Sequence, residues 1–389
     1  ALNIPSVSTL DNLHNKLTSG EELLIDGIRG YVVVDPSREV EKAYNQEKKN
    51  YHKKLEMIEE LSELEPVSAD GVRVKFEANL EIIEELPLVK KYGAEGIGLF
   101  RTEFLIDYSQ VLPGEDQQLT YYKKVLLNYP EKEVTLRTFD VGGDKMIQQI
   151  SDYQESNPFL GGRAIRFQLS NNNLLKSQLR AALKANEKGN LKIMFPMIST
   201  LNEVKQLKQV LSELETELKN DGIDVKPYKT GIMIETPSAV MMADKIAEYV
   251  DFFSIGTNDL IQYTLAVDRG NEKVQYLYNS LDPSIIQCLI LFMEKVKDKE
   301  VEVSVCGEMA ANPLDFVFLL SLGLRRFSMV PWKIPVMKKF LSSISIKPLE
   351  KYPPIISELD SAEKVSEFMK KEFSKELKTI EEISIRGAL

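Results

Sequence analysis

Eight short apolar runs, each followed by a stretch with the spacing of an amphipathic helix, constrain the fold of this 389-residue chain more than any other feature. The runs are Val72–Ala78, Gly96–Arg101, Val134–Phe139, Lys192–Met197, Gly231–Glu235, Phe252–Gly256, Val301–Cys306 and Arg326–Val330. Among the stretches between them, Leu174–Asn186, Leu201–Lys219, Ala239–Tyr249 and Ile285–Lys299 carry apolar residues at helical intervals. Eight strand–helix units on about 320 residues is the count of an α/β (β/α)8 barrel, a TIM barrel, with insertions. An open doubly wound sheet is the alternative, but such sheets usually split into shorter halves.

Upstream the character of the chain changes. Residues 1–36 read as a small α/β fragment, with a helix over Asn12–Leu17 and strands over Glu22–Asp26 and Tyr31–Val34 around the turn at Gly27–Gly30. Residues 37–65 read as one long, charged linker helix with apolar positions at Tyr44, Tyr51, Leu55, Ile58 and Leu61, ended before Pro66. The barrel then takes residues 66–389. The chain opens at Ala1, and the expectation is a piece of something longer.

The net charge of −10 argues against a nucleic-acid or anionic-membrane partner, while leaving room for a local basic pocket. Two cysteines, Cys288 and Cys306, make no disulfide framework, so a reducing, cytoplasmic location is expected. The most apolar stretch, Phe316–Leu324, is too short to cross a bilayer, and with no basic n-region and apolar h-region at the start of the sequence a signal peptide is not expected.

In a barrel of this kind the active site is built at the carboxyl ends of the strands. Read in order, those ends carry Arg101, Arg137 with Asp140, Met197, Glu235, Asn258 with Asp259, Cys306 with Glu308, and Met329. A hydrophobic core needs none of the charged members. Arg101, Arg137, Arg163, Arg166 and Arg269 all lie in Gly-, Asn- or Asp-rich contexts, and several guanidinium forks around one pocket of an acidic protein suit a phosphate or carboxylate ligand. Lys145, in Gly142-Gly143-Asp144-Lys145, adds a point charge.

Glu235 and Asp259 close successive strands, and neighbouring strands lie about 4.8 Å apart, so the two carboxylates can share a hard divalent cation. Two carboxylates with water and substrate oxygens in the other positions is the usual Mg²⁺ pattern. Asp259 is equally suited to cap the helix that follows. Cys306, in Val305-Cys306-Gly307-Glu308, is either a buried packing thiol or an acid or nucleophile; an ordinary thiol is protonated at neutral pH, which suits proton donation. Cys288 reads as core, and His14 and His52 as surface or packing residues.

Longer stretches carry a family resemblance. Gly96-Ile97-Gly98-Leu99-Phe100-Arg101-Thr102-Glu103-Phe104-Leu105, Asn157-Pro158-Phe159-Leu160-Gly161-Gly162-Arg163, Phe252-Phe253-Ser254-Ile255-Gly256-Thr257-Asn258-Asp259-Leu260 and Cys306-Gly307-Glu308 resemble the Enzyme I family of the phosphoenolpyruvate-dependent sugar phosphotransferase system. So does Gln262-Tyr263-Thr264-Leu265-Ala266-Val267-Asp268-Arg269-Gly270-Asn271. Pyruvate phosphate dikinase and phosphoenolpyruvate synthase share the barrel, but the context of Phe104 and the tyrosine of Gln262-Tyr263 favour Enzyme I.

The resemblance implies that Arg101, Arg137 and Arg269 hold the phosphoryl group of phosphoenolpyruvate (PEP), with Arg163 and Lys145 helping. It implies Glu235 and Asp259 as Mg²⁺ ligands, Asn258 as a substrate contact, and Cys306 as the acid that protonates enolpyruvate. Met197 and Met329 would line the wall. A homodimer through the barrel and the phosphocarrier protein HPr as a partner follow on the same ground.

The sequence also departs from the family. No glycine- and Thr-Ser-flanked phosphohistidine motif is present; residues 1 to about 40 resemble the tail of the swivelling phosphohistidine domain, and the helical module that docks the phosphocarrier is missing. Gly162, Ile261 and Asn312 replace residues commoner in the family. The expectation is therefore the PEP-binding part of such a phosphotransferase, needing a histidine carried elsewhere. The alternatives are a PEP-binding regulatory module without turnover, a dikinase- or synthase-type barrel, and a Mg²⁺-dependent lyase.

Overall fold

The computed structural model describes residues 5–8, 10, 17–106, 111–142, 155–381 and 383. Ten strands are described: β1 (Leu23–Asp26), β2 (Tyr31–Val34), β3 (Lys75–Leu80), β4 (Ile97–Arg101), β5 (Val134–Arg137), β6 (Leu191–Phe195), β7 (Lys229–Ile234), β8 (Phe252–Ile255), β9 (Glu302–Val305) and β10 (Arg326–Met329). Strands β3 to β10 form a closed, parallel barrel in sequence order, shut by β10 lying beside β3 with Arg326 opposite Lys75 and Met329 opposite Ala78. Parallel neighbours need crossover connections, and the helices that supply them form the outer layer. The barrel expectation holds.

Boundaries moved where local hydrogen bonds compete with the sheet. The run Val72–Ala78 becomes Lys75–Leu80, because the preceding residues fold back on themselves. Val67 bridges Arg73, the Ser68 amide donates to the Val72 carbonyl, and the Val74 amide donates to the Pro66 carbonyl, so 72–74 are occupied before the strand begins. The Ala239–Tyr249 stretch is two short helices, Pro237–Met241 and Ala243–Ile246, broken at Met242. Thr236 caps the first, its hydroxyl accepting from the Ala239 amide at 3.2 Å, and Pro237 occupies the first turn, where its missing N–H costs nothing.

The long helix runs Arg38–Glu60 and tightens into a single 3₁₀ turn at Leu61–Glu63. It is exposed along most of its length, as its charge requires, with Ile58 buried. At its far end Lys338 donates to the Ser62 carbonyl at 2.7 Å, pinning the chain to the barrel's outer layer. At the near end β1 and β2 form an antiparallel hairpin tied to the helix by Tyr44, whose hydroxyl donates to the Ile25 carbonyl at 3.2 Å, and by the Arg29–Glu47 pair. Positions 12–16 of the expected first helix, and His14 with them, lie outside the described residues.

Apolar packing among the described residues falls into two main bodies, with a small third cluster around Phe139 and Val141 beside them. The larger lies between strands and helices and includes Phe76, Phe316 and Phe327, with the last two rings 4.5 Å apart. The smaller fills the barrel's interior with Leu99, Met194, Met233, Phe252 and Cys306. Below that plug, at the amino ends of the strands, Arg326 donates to Glu77 through two bonds of 2.7 Å, and both take part in a network with Lys75, Glu133, Lys192, Lys229 and Glu302. Among the described residues no helix is long and apolar enough to cross a membrane.

Candidate active site at the carboxyl end of the barrel

Arg101 and Arg137 are the last residues of β4 and β5 and stand directly opposite each other in the sheet. The ladder brings both side chains to the same rim. Thr102 fixes the junction from behind, its hydroxyl donating to the Arg137 carbonyl at 2.9 Å, and Gln178 in turn donates to Thr102 at 3.1 Å and to Tyr122 at 3.0 Å. Buried polar side chains satisfied in this way hold strand ends to a single geometry.

Arg101 is half-buried and pairs with Glu81, which follows β3, at 2.5 Å. Arg137 is buried and meets Glu103 at 3.1 Å and Asp140 at 3.4 Å. Burial alone would lower its guanidinium pKa; Glu103, Asp140 and Glu235 outweigh it and hold it above the ordinary value. The Nε atoms of Arg101 and Arg137 are buried without a hydrogen-bond partner among the described residues. Buried guanidinium donors seldom stay unmatched, and two of them at one rim suit an anion.

Arg163 lies deeper. Its Nε and Nη2 donate to the two oxygens of Asp140 at 2.8 Å each, and Nη2 and Nη1 reach Asp259 at 3.1 and 3.4 Å. Nη1 also donates to the Tyr263 hydroxyl at 3.1 Å, which donates onward to the Phe159 carbonyl at 2.7 Å. Every nitrogen of this guanidinium is therefore engaged by protein groups.

Glu235 directly follows β7, and Asp259 lies in the helix that follows β8, so the two come from neighbouring strand–helix units of the barrel. Glu235 is 1 % exposed, and its Oε1 accepts from the Met197 amide at 2.5 Å. Met197 reaches this position with φ at +58°, a left-handed conformation costly for a residue with a side chain and often kept at functional sites. The Glu235 carboxyl is pushed well above the usual range, first by burial and then by the charges of Asp259 and Asp140. Asp259 is not a helix cap. The helix Thr257–Leu265 is capped by Gly256, and Asp259 sits in its first turn facing Arg163.

Cys306 is 4 % exposed, with its thiol donating to the Ile255 carbonyl at 3.6 Å. Burial pushes the thiol up to about 11; a hydrogen bond with Ser254 works against that rise, and Glu235 adds to it. The thiol also lies within the field of Arg137 and Arg101, which places it at the same mouth. It is protonated at neutral pH. Gly307 follows because a side chain there would collide with Thr257 at the start of the neighbouring helix.

Asn258 and Arg269 form the outer flank. The Asn258 amide donates to Glu308 at 2.9 Å and accepts from the Glu308 amide at 3.0 Å, while the Tyr278 hydroxyl donates to the Asn258 carbonyl at 3.0 Å. Arg269 is exposed and lies beside Tyr278. Lys145 lies outside the described residues. Sequence reasoning passed over Glu81 as a site residue because β3 was placed too early, and passed over Glu103 and Tyr263 because each was read as part of a motif, not as a partner. A carboxylate next to a strand-end arginine was the available signal.

The match to known proteins covers this whole architecture. Residues 56–346 fit the family model described as PEP-utilising enzyme, PEP-binding domain. The chain belongs to that family. A phosphoenolpyruvate-protein phosphotransferase of Priestia megaterium is 40 % identical over 374 residues, covering 96 % of this chain and 65 % of that protein. The Bacillus subtilis protein of the same name is also 40 % identical over 374 residues, at 96 % of this chain and 66 % of its own length. The chain thus spans about two-thirds of the relatives it matches. A citrate lyase structure from Burkholderia xenovorans matches with a TM-score of 0.45 and 11 % identity over 78 % of this chain and 92 % of its own. Within the PEP-binding domain family match lie all eight barrel strands and the last turns of the long helix.

Proposed function

We propose that this chain binds phosphoenolpyruvate at the carboxyl mouth of the barrel and supports transfer of its phosphoryl group to a histidine, with release of pyruvate. The observation that carries this reading is the pair of buried, unmatched guanidinium Nε atoms on Arg101 and Arg137, at the rim of a domain of the PEP-binding family. Arg269 on the outer flank is the third candidate for the phosphoryl oxygens, and Asn258 beside it is the candidate contact for the rest of the substrate. Lys145 belongs to the same proposal from its motif alone.

The donor set fits a hard divalent cation. Glu235, just after β7, and Asp259, in the first turn of the helix after β8, are buried oxygen donors, and burial first and then the charge of Asp259 raise Glu235. Two carboxylates leave the remaining positions of such a cation to water and substrate oxygens. Mg²⁺ bound by these two residues would neutralise charge on the phosphoryl and carboxylate oxygens.

The residues of the chain then act as follows. The arginines orient the phosphoryl group in line with the accepting imidazole nitrogen. The bond between phosphorus and the enol oxygen breaks as the bond from nitrogen to phosphorus forms, leaving enolpyruvate. Cys306, held as a thiol, gives its proton to carbon 3 of the enolate to form pyruvate, and the thiolate is reprotonated from solvent. The acceptor on this reading is neither His14 nor His52, which lies on the long helix. The relatives' names support the same class of reaction, and homodimerisation, a cytoplasmic location and passage of the phosphoryl group to the phosphocarrier HPr belong to the same proposal.

The test is pyruvate release from PEP by the protein supplied with a phosphohistidine domain, followed beside PEP affinity. Turnover with metal-dependent binding supports the reading. Tight PEP binding without any pyruvate release from any histidine-bearing partner would turn it into a regulatory PEP sensor.

A further inference from the structure

The position of Arg163 raises a question that substrate binding alone does not answer. Its side chain is 3 % exposed and spans two carboxylates, paired in full with Asp140 and reaching both oxygens of Asp259. A guanidinium fork and a divalent cation place positive charge on carboxylate oxygens in the same way, and both cannot take the same lone pairs. Without Arg163, Asp259 would be an uncompensated buried charge close to Glu235 and Asp140, a costly arrangement in a protein interior.

From this we infer that Arg163 is the resident counter-ion of Asp259 in the metal-free protein, and that a divalent cation enters by exchanging with it. The inference rests on Glu235 and Asp259 being the cation's ligands. Two-point pairing with Asp140 is what makes the exchange feasible. When Asp259 turns to the metal, Arg163 keeps its charge compensated by Asp140 and is not stranded in the interior. The Tyr263 hydroxyl, tied to the Phe159 carbonyl, keeps the fork from swinging away. Exchange also frees Nη hydrogens beside the rim where Arg137 stands, since both guanidiniums pair with the same Asp140 carboxylate. Cation entry and anion capture are coupled as a result, because the same step that admits the metal releases a donor for a phosphoryl oxygen.

Mn²⁺ binding to the phosphate-free protein, read as loss of the free-ion paramagnetic resonance signal, tests the exchange without any turnover. Arg163→Lys keeps the charge but not the fork, so it cannot hold Asp140 and Asp259 together. It should bind Mn²⁺ at least about 3-fold tighter than the parent, and Arg163→Gln tighter still. An Arg163→Lys protein that binds Mn²⁺ as the parent does, or more weakly, overturns the exchange while leaving the metal assignment standing. A parent protein that binds no Mn²⁺ overturns the assignment and the exchange together. Should the variants fail to fold, the nitrogen-15 guanidinium signals of Arg163 in the parent carry the test. On Mg²⁺ addition the two Nη signals should shift as their contacts with Asp259 are lost, while Nε, held by Asp140, stays in place; signals unaltered by saturating Mg²⁺ rule the exchange out.

Discussion

Both ends of the barrel are lined with arginines, lysines and carboxylates, yet they are electrostatic opposites. At the amino end four cations, Lys75, Lys192, Lys229 and Arg326, share three carboxylates, Glu77, Glu133 and Glu302, and none of these side chains has a buried, unmatched atom among the described residues. At the carboxyl end Glu81, Glu103, Asp140, Glu235 and Asp259 outnumber Arg101, Arg137 and Arg163, while Nε atoms on two of the arginines have no acceptor. The consequence shows in proton affinities. Burial would raise Glu133, but Lys192 and Arg326 hold it well below the usual carboxylate range, and Glu302 is lowered in the same manner. Glu235, more deeply buried and crowded by Asp259 and Asp140, moves the other way. Ion pairs that saturate one another make a floor. Ion pairs that leave donors unmatched and carboxylates crowded make the mouth proposed here to bind PEP.

The largest effect that sharpens this contrast is kinetic. Cys306→Ala should keep PEP affinity near the parent value, because it removes a small thiol from an intact rim, and should slow pyruvate formation by about 10²–10⁴-fold. Unchanged turnover, or joint loss of fold and affinity, would make Cys306 a packing residue of the barrel interior.

At the floor, Arg326→Met leaves Glu77, which is 1 % exposed, with Lys75 alone. Chemical denaturation should show a loss of about 3–5 kcal/mol, the usual cost of breaking a buried pair from one side. A loss below about 1 kcal/mol would mean that the network is solvated and that the floor is not closed.

A matched pair of isosteric changes tests the sign of the difference. Glu133→Gln should destabilise the protein by about 1–3 kcal/mol, through lost charge-assisted hydrogen bonds. Glu235→Gln should stabilise the ligand-free protein by about 1–2 kcal/mol, by removing a crowded charge, while abolishing divalent-cation binding. The pH dependence follows from the shifts. Glu133 has a folded pKa below its unfolded value, so its contribution is present above about pH 4.5 and fades as pH falls. Glu235 has a folded pKa above its unfolded value, so it detracts from stability increasingly as pH rises past about 4.5. Both Gln effects should therefore shrink toward zero in acid, measured as denaturation midpoints across pH. Effects of the same sign at neutral pH would end the distinction between floor and mouth.

The smallest effect is the control. Lys229→Met removes a half-exposed member of the floor and should change stability by under about 1 kcal/mol and PEP affinity not at all.

Much of this was legible in the residues, and the exceptions have a common cause. Strand count, barrel closure and the rim positions of Arg101, Arg137, Glu235 and Asp259 follow from apolar runs ending in charged residues, because a barrel sends strand ends to one side. Boundaries failed where side chains and turns captured backbone groups, as at 66–74, or where a helix broke at Met242. The role of Arg163 was not legible: its motif marks it as a phosphoryl ligand, but only the fold shows that Asp140 and Asp259, separated by more than a hundred residues, converge on it. The floor network was invisible for the same reason, since its seven members come from the amino ends of six different strands or the residues just before them.

If the unmatched donors of the carboxyl mouth receive PEP with a divalent cation, isothermal titration of PEP into the parent protein with Mg²⁺ should show saturable binding at one site per chain. That binding should weaken at least several-fold in EDTA and be lost in Arg137→Met. Binding that is indifferent to EDTA and to Arg137→Met, or no binding at all, would contradict that role for the mouth.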